Sequence, residues 1–225
     1  MKAVLLAAGF GTRMRGAFGD VPKILVPFGA RTLLDHQLEY LAGEGVDEVA
    51  VNLHHHADAV AEHLGRGTPV SVRVSVEEAL LGTAGALVPL TPFLDEPFVL
   101  LYGDVVTDLR LGELLGRHSG IATLACYPSG ELEGKGVLEV DGRLRVSAFV
   151  EKGRAGGEGL VNAGVHVLDP AILDHIRPPF ADFGHDVWPA ALAAGAAITA
   201  VPVDAYVKDV GTPEALAEAE RDLGL

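Results

Sequence analysis

Two basic residues stand just behind a glycine-rich turn near the N-terminus, and their types suit phosphate chemistry. In KAVLLAAGFGTRMRGAFGDVPKILVP, residues 2–27, an apolar run leads into Gly9 and Gly11, then into Thr12-Arg13 and Pro22-Lys23. Glycine lacks a Cβ and tolerates positive φ, so backbone N–H groups of such a loop can approach an anion closely. Arg13 offers a planar fork of donors, and Lys23 a mobile point charge brought back to the same loop. The combination predicts a nucleoside triphosphate site. A dinucleotide fingerprint would need glycine where Met14 stands, and nothing fits G-x-x-x-x-G-K-[ST].

Two acidic residues are placed to serve the same phosphates. Asp104 follows the apolar run Phe98–Leu101 and a glycine, so its carboxylate is expected at the carboxyl edge of a strand. Asp209 precedes Val210-Gly211-Thr212-Pro213, a turn that feeds the final helix. His54-His55-His56 suggests metal binding at first sight, yet consecutive residues after a strand are expected to point apart, and the run reads as helix-entry polarity. No serine is paired with a base in a way that suggests nucleophilic catalysis.

The chain resembles the sugar nucleotidylyltransferases, whose signature is close to L-A-G-G-x-G-T-R-L followed by P-K-x-L/M-x-P. Leu6–Met14 and Pro22–Pro27 match both parts, and the likeness continues through Ser75–Leu87, Tyr102–Asp104, Gly136–Lys152, Val161–Leu168 and Lys208–Leu216. The resemblance implies that Leu6, Ala7, Ala8, Gly9, Gly11 and Thr12 bind the nucleotide with catalytic Arg13 and Lys23. Base-proximal roles fall on Glu77, Gly82, Thr83 and Ala84, with Thr83 also a candidate cap for the helix that follows. It implies Mg²⁺ on Asp104 and Asp209, and sugar phosphate on Gly136, Glu151, Lys152 and Asn162. The S-x-E-x-x-P-L-G-T-A-G form resembles guanylyltransferases for mannose 1-phosphate or heptose 1-phosphate, with Leu80 here in place of the proline. Lys135 stands where the family has an aromatic residue, and Val207 where many relatives have tryptophan. A uridylyl-, thymidylyl- or cytidylyltransferase of the same superfamily, or a non-catalytic nucleotide-sugar sensor, would share much of this pattern. The missing general base suits nucleotidyl transfer, because a sugar 1-phosphate oxygen is already ionised at neutral pH.

Positioning these groups calls for an α/β framework. Short apolar strands at Ala3–Leu6, Glu48–Asn52, Val70–Ser75, Phe98–Leu101, Ala122–Tyr127, Arg145–Val150, Val161–Leu168 and Ile198–Val203 alternate with helical patterns at Thr32–Leu41, Ala57–Leu64, Gly85–Leu90, Leu111–Arg117, Ala171–Ile176, Val187–Ala194 and Pro213–Leu223. The alternation predicts a doubly wound, mostly parallel or mixed sheet flanked by helices, with ligands beyond the carboxyl ends of strands, and the resemblance implies that this sheet is a Rossmann-like nucleotide-diphospho-sugar transferase fold. Asp141-Gly142 predicts a hairpin turn, and residues 153–159 a flexible loop. With 225 residues, 49% of them hydrophobic, the chain is expected to form a single domain over 1–225, which the resemblance implies is a nucleotidyltransferase domain.

A formal net charge of −14 argues against nucleic acid or an anionic membrane as partner and leaves small phosphorylated substrates. No apolar run reaches the roughly 18 residues of a spanning helix, and the N-terminus enters the loop without a charged leader, so the chain reads as cytoplasmic. Its one cysteine, Cys126, lies in an apolar run and is expected to be a buried structural thiol. Nothing in the sequence sets an oligomeric state.

Overall fold

The computed structural model describes residues 1–9, 11–153 and 156–225. Phe10 of the glycine-rich signature and residues 154 and 155 of the expected loop lie outside the described residues. In chain order the strands are β1 (Lys2–Leu6), β2 (Pro27–Phe28), β3 (Arg31–Thr32), β4 (Glu48–Leu53), β5 (Ser71–Val76), β6 (Phe98–Tyr102), β7 (Val105–Thr107), β8 (Ala122–Ser129), β9 (Val137–Val140), β10 (Val146–Val150), β11 (Gly159–Leu168), β12 (Ile198–Pro202) and β13 (Val207–Asp209). The α-helices are α1 (Arg15–Phe18), α2 (Leu33–Gly43), α3 (Ala57–Leu64), α4 (Gly82–Gly85), α5 (Leu111–Gly116), α6 (Trp188–Ala193) and α7 (Pro213–Leu223). The expected mixed, mostly parallel sheet with flanking helices is present. Two compact units contain these elements, the first made of Met1–Leu80, Leu101–Leu109 and Ala205–Leu225, the second of Leu81–Leu100 and Arg110–Asp204.

In the first unit β1, β4 and β5 are parallel neighbours, in register from Lys2↔Glu48 to Leu6↔Asn52 and from Glu48↔Ser71 to Leu53↔Val76. Ala3, Val4, Leu5, Val49, Ala50 and Val51 are fully buried, as continuous apolar strands of a parallel sheet require. Helix α2 buries Leu33, Leu34, Gln37, Leu38 and Leu41, a stripe at helical spacing. Its start is fixed by a capping box: the Thr32 side chain accepts from the Asp35 N–H, and Asp35 Oδ2 accepts from the Thr32 N–H at 3.0 Å. An antiparallel ribbon of β7 and β13 pairs Asp209 with Val105. That ribbon is too short and too polar for periodicity to reveal.

The second unit runs β11 antiparallel to both β8 and β9, with β12 parallel to β8. The hairpin expected at Asp141-Gly142 joins β9 to β10. Its core is aromatic: Trp188 is fully buried, stacked on Phe183 at a centroid distance of 4.7 Å and met edge-on by His166 at 5.8 Å. Burial drives the His166 pKa down to about 3, so this histidine packs as a neutral ring. Cys126 is buried as expected, and desolvation pushes its thiol up to about 12. The helical pattern at 85–90 divides into α4 and a 3₁₀ turn at Val88–Leu90, and that at 171–176 is a 3₁₀ turn over Pro170–His175. Pro89 removes an N–H that a continuous helix over 82–90 would use, whereas Pro170 opens its turn at a position that needs none. No helix among the described residues is long and apolar enough to cross a membrane.

Removing the α2 cap tests the framework directly. Thr32→Ala leaves the first turn of α2 without its side-chain acceptor and should lower unfolding free energy by about 1 kcal/mol, read from urea melts.

Candidate functional site

The first unit gathers its polar side chains at the carboxyl end of β1. Gly103 N–H donates to Leu6 C=O at 2.8 Å, and a Cβ on Gly103 would collide with that oxygen, so only glycine lets Tyr102-Gly103-Asp104 lie against the exit of β1. Gly11, at φ 58°, packs on Lys23, where an added Cβ would come within 3.0 Å of the lysine Cβ. This contact seats the Pro22-Lys23 segment under the glycine loop. Lys23 Nζ then donates to Asp104 Oδ2 at 2.7 Å.

Asp209 arrives through the β7–β13 ribbon. Its partner across the strands is Val105, and Val210 N–H donates to Asp104 C=O at 2.7 Å. Asp209 Oδ1 accepts from Gly211 N–H at 2.7 Å. A Cβ on Gly211 would come within 2.7 Å of both Asp209 Oδ1 and Arg13 Nη2, so this glycine leaves room for the guanidinium beside the carboxylate. Arg13, Lys23, Asp104 and Asp209 are thus brought together as the sequence implied. Burial raises the Asp209 pKa and the neighbouring Asp104 carboxylate raises it further, against the pull of the Gly211 N–H, Lys23 and Arg13. Two carboxylates facing each other with oxygen-only donors fit a hard divalent cation.

Glu77 occupies a place that sequence reasoning did not foresee. It was expected beside a base, yet it is buried and its Oε1 accepts from Asn52 Nδ2 at 2.7 Å. Asn52 Oδ1 in turn accepts from Ala7 N–H at 2.7 Å. The relay holds the first residue after β1, so Glu77 supports the glycine loop through Asn52. Asn52 ends an apolar strand pattern, which is the one sequence signal for it.

The remaining predicted residues belong to the second unit. Gly82 has φ 80°, and a Cβ there would collide with Ala181 C=O, the oxygen that accepts from both Ala84 and Gly85 N–H at 3.0 Å. Helix α4 therefore begins at Gly82, and Thr83 lies inside it instead of capping a later helix. The Thr83 hydroxyl donates to Asp182 Oδ2 at 2.8 Å and accepts from Phe183 N–H at 2.9 Å. Asp182 also accepts from Gly184 N–H at 3.0 Å at the start of a π-helical turn over Phe183–Val187. A Cβ on Gly184 would collide with Glu151 Oε2. Gly136 lies against Phe149 and Asn162, and its C=O accepts from Asn162 N–H at 2.8 Å. Lys152 is exposed. Desolvation, helped by the Asp182 charge, raises the Glu151 pKa against smaller opposing pulls from His185 and Lys152.

The histidine run also departs from expectation. His56 adopts the left-handed conformation at φ 55° and ψ 36°, which turns its ring back toward His55. Both imidazoles meet Asp20, with His55 Nε2 at 3.4 Å from Oδ1 and His56 Nε2 at 2.9 Å from Oδ2.

Comparison with known proteins places these features in a family. The model of the nucleotidyl transferase family matches residues 2–224. The chain is 31% identical over 225 residues to the mannose-1-phosphate guanylyltransferase catalytic subunit beta of Dictyostelium discoideum, covering 95% of this chain and 62% of that protein. It is 32% identical over 225 residues to a mannose-1-phosphate guanyltransferase of Emericella nidulans, with the same coverage. The chain thus spans about 62% of the length of these curated relatives. The crystal structure of HddC from Yersinia pseudotuberculosis complexed with GMP-PN superposes with a TM-score of 0.86 at 26% identity, covering 99% of each chain.

Glu151 provides a test that needs no substrate. A carboxyl whose pKa is raised on folding binds more protons in the native state, so its penalty is absent at low pH and grows as pH rises past the ordinary glutamate range. Glu151→Gln should therefore be more stable than the parent at pH 8, with the difference shrinking toward pH 4, as read from urea melts across that range. Equal or lower stability at pH 8 would contradict the assigned burial cost.

Proposed function

We propose that this chain, which belongs to the nucleotidyl transferase family, transfers a nucleotidyl group from GTP to a sugar 1-phosphate, mannose or heptose 1-phosphate, releasing pyrophosphate. It would act as a single cytoplasmic domain on small-molecule substrates. The observation that carries this reading is the convergence of Arg13, Lys23, Asp104 and Asp209 behind a glycine-rich loop. GTP is favoured by the guanylyltransferase names of the relatives and by the GMP-PN bound to HddC.

In the proposed reaction an ionised phosphate oxygen of the sugar 1-phosphate forms a bond to the α-phosphorus while the bond from that phosphorus to pyrophosphate breaks in line. No proton need be removed from the nucleophile, so positioning and charge stabilisation are the protein's tasks. Leu6, Ala7, Ala8, Gly9, Gly11 and Thr12 line the nucleotide, with the triphosphate held by main-chain N–H groups from Ala8 onward, since Asn52, held by Glu77, takes the Ala7 N–H. Arg13 holds the departing pyrophosphate, and Lys23 restrains Asp104 and faces the α-phosphate. Asp104 and Asp209 would hold Mg²⁺, since Lys23 takes Asp104 Oδ2 and Gly211 takes Asp209 Oδ1, leaving one oxygen on each for a cation. Bound there, Mg²⁺ would neutralise phosphate charge and orient its oxygens. Gly82, Thr83 and Ala84 meet the base through their main-chain surface, since the Thr83 hydroxyl and Ala84 N–H are engaged elsewhere. On the sugar side, Gly136 offers its backbone, Glu151 and Asn162 bind hydroxyls, and Lys152 binds the phosphate.

A pyrophosphate-release screen crossing four nucleoside triphosphates with a panel of sugar 1-phosphates and Mg²⁺ tests the reading. GTP with mannose or heptose 1-phosphate should give the highest rate, and Asp104→Asn or Asp209→Asn should each cost about a hundredfold, roughly 2.7 kcal/mol of barrier. Preference for UTP, dTTP or CTP would move the base assignment and leave the reaction class. Nucleotide binding without turnover on any acceptor would instead mark a sensor.

A further inference from the structure

Asp20, His55 and His56 share no residue with the groups assigned above. We propose that they form a separate cation site, selective for a transition-metal ion of the Zn²⁺ class. Their donor atoms all lie within 4.8 Å of one another. Two imidazole nitrogens and a carboxylate oxygen form a ligand set that suits Zn²⁺ over Mg²⁺, which takes oxygen donors. Three protein ligands leave a fourth tetrahedral position open to water or another donor.

The backbone supplies an independent argument. Left-handed conformation is unfavourable in a non-glycine residue, and His56 adopts it at the entry to α3. That conformation sets the His56 ring against His55 at a centroid distance of 3.8 Å, with the ring planes tilted by 50°, and carries its Nε2 to Asp20. The Nε2 is closed off from solvent and lies 2.9 Å from Asp20 Oδ2. A shielded imidazole nitrogen held against a carboxylate oxygen has the placement of two ligands of one cation. Arg15 Nη2 lies 3.0 Å from His55 Nε2 and 3.9 Å from Asp20 Oδ1, so its exposed guanidinium is the group a metal ion displaces.

Glycine at position 56 separates a metal role from a structural one, because glycine adopts the left-handed conformation freely. His56→Gly removes a ligand and relieves the backbone together. Metal-free protein is titrated with Co²⁺ in excess Mg²⁺, following the visible absorption of tetrahedral Co²⁺, with Zn²⁺ as competitor. One equivalent of Co²⁺ should bind and be displaced by Zn²⁺. His56→Gly and Asp20→Asn should each weaken it by about tenfold or more. Metal-free His56→Gly should melt no lower than the parent, and the parent alone should gain thermal stability with Zn²⁺. Asp104→Asn should bind Co²⁺ as the parent does, which keeps this result independent of the proposed catalytic metal. Absence of the tetrahedral band, or a band unchanged in His56→Gly, would overturn the proposal.

Discussion

The Lys23–Asp104 ion pair is the interaction around which the first unit is organised. At 2.7 Å, with side-chain exposures of 15% and 30%, it joins segments 81 residues apart in sequence. Partly desolvated pairs contribute little net stability, since each charge gives up hydration, but breaking one leaves the other charge uncompensated. The pair therefore sets position more than it stabilises the fold. Once Lys23 and Asp104 are fixed, the seat of Gly11 on Lys23, the approach of Gly103 to Leu6 and the hydrogen bond from Val210 to Asp104 determine where Arg13 and Asp209 can lie.

Several of these groups are held at a cost to the native state. Asp209 faces another carboxylate, and Glu151 is half-buried beside Asp182, so folding disfavours the charged form of both. Glycines 103, 184 and 211 contribute no packing of their own and are needed because a Cβ would strike a backbone oxygen or a site side chain. Such concentrations of unfavourable charge and close approach mark places where binding a ligand returns what folding gives up. Hydrogen bonds elsewhere are spent on support: Glu77 and Asn52 steady Ala7, while Asp182 ties Thr83 to the turn that carries Gly184.

The sequence by itself determined the parts that depend on local chemistry. Apolar runs marked β1, β4 and β6, Asp141-Gly142 marked its hairpin, α3 and α7 were read with the bounds the structure gives them, and the glycine, arginine, lysine and aspartate positions were legible from residue type and order. Pairing between distant short segments was not legible, because a two- or three-residue strand has no periodicity of its own. Only the tertiary structure decided that β13 lies on β7 and delivers Asp209 to Asp104. It also decided that Glu77 turns inward to Asn52, that the Thr83 hydroxyl is committed to Asp182, and that one left-handed residue brings His55 and His56 together on Asp20. Each of those outcomes is a competition for hydrogen-bond partners or a backbone conformation settled by neighbours far away in the chain. A local reading has no access to that competition.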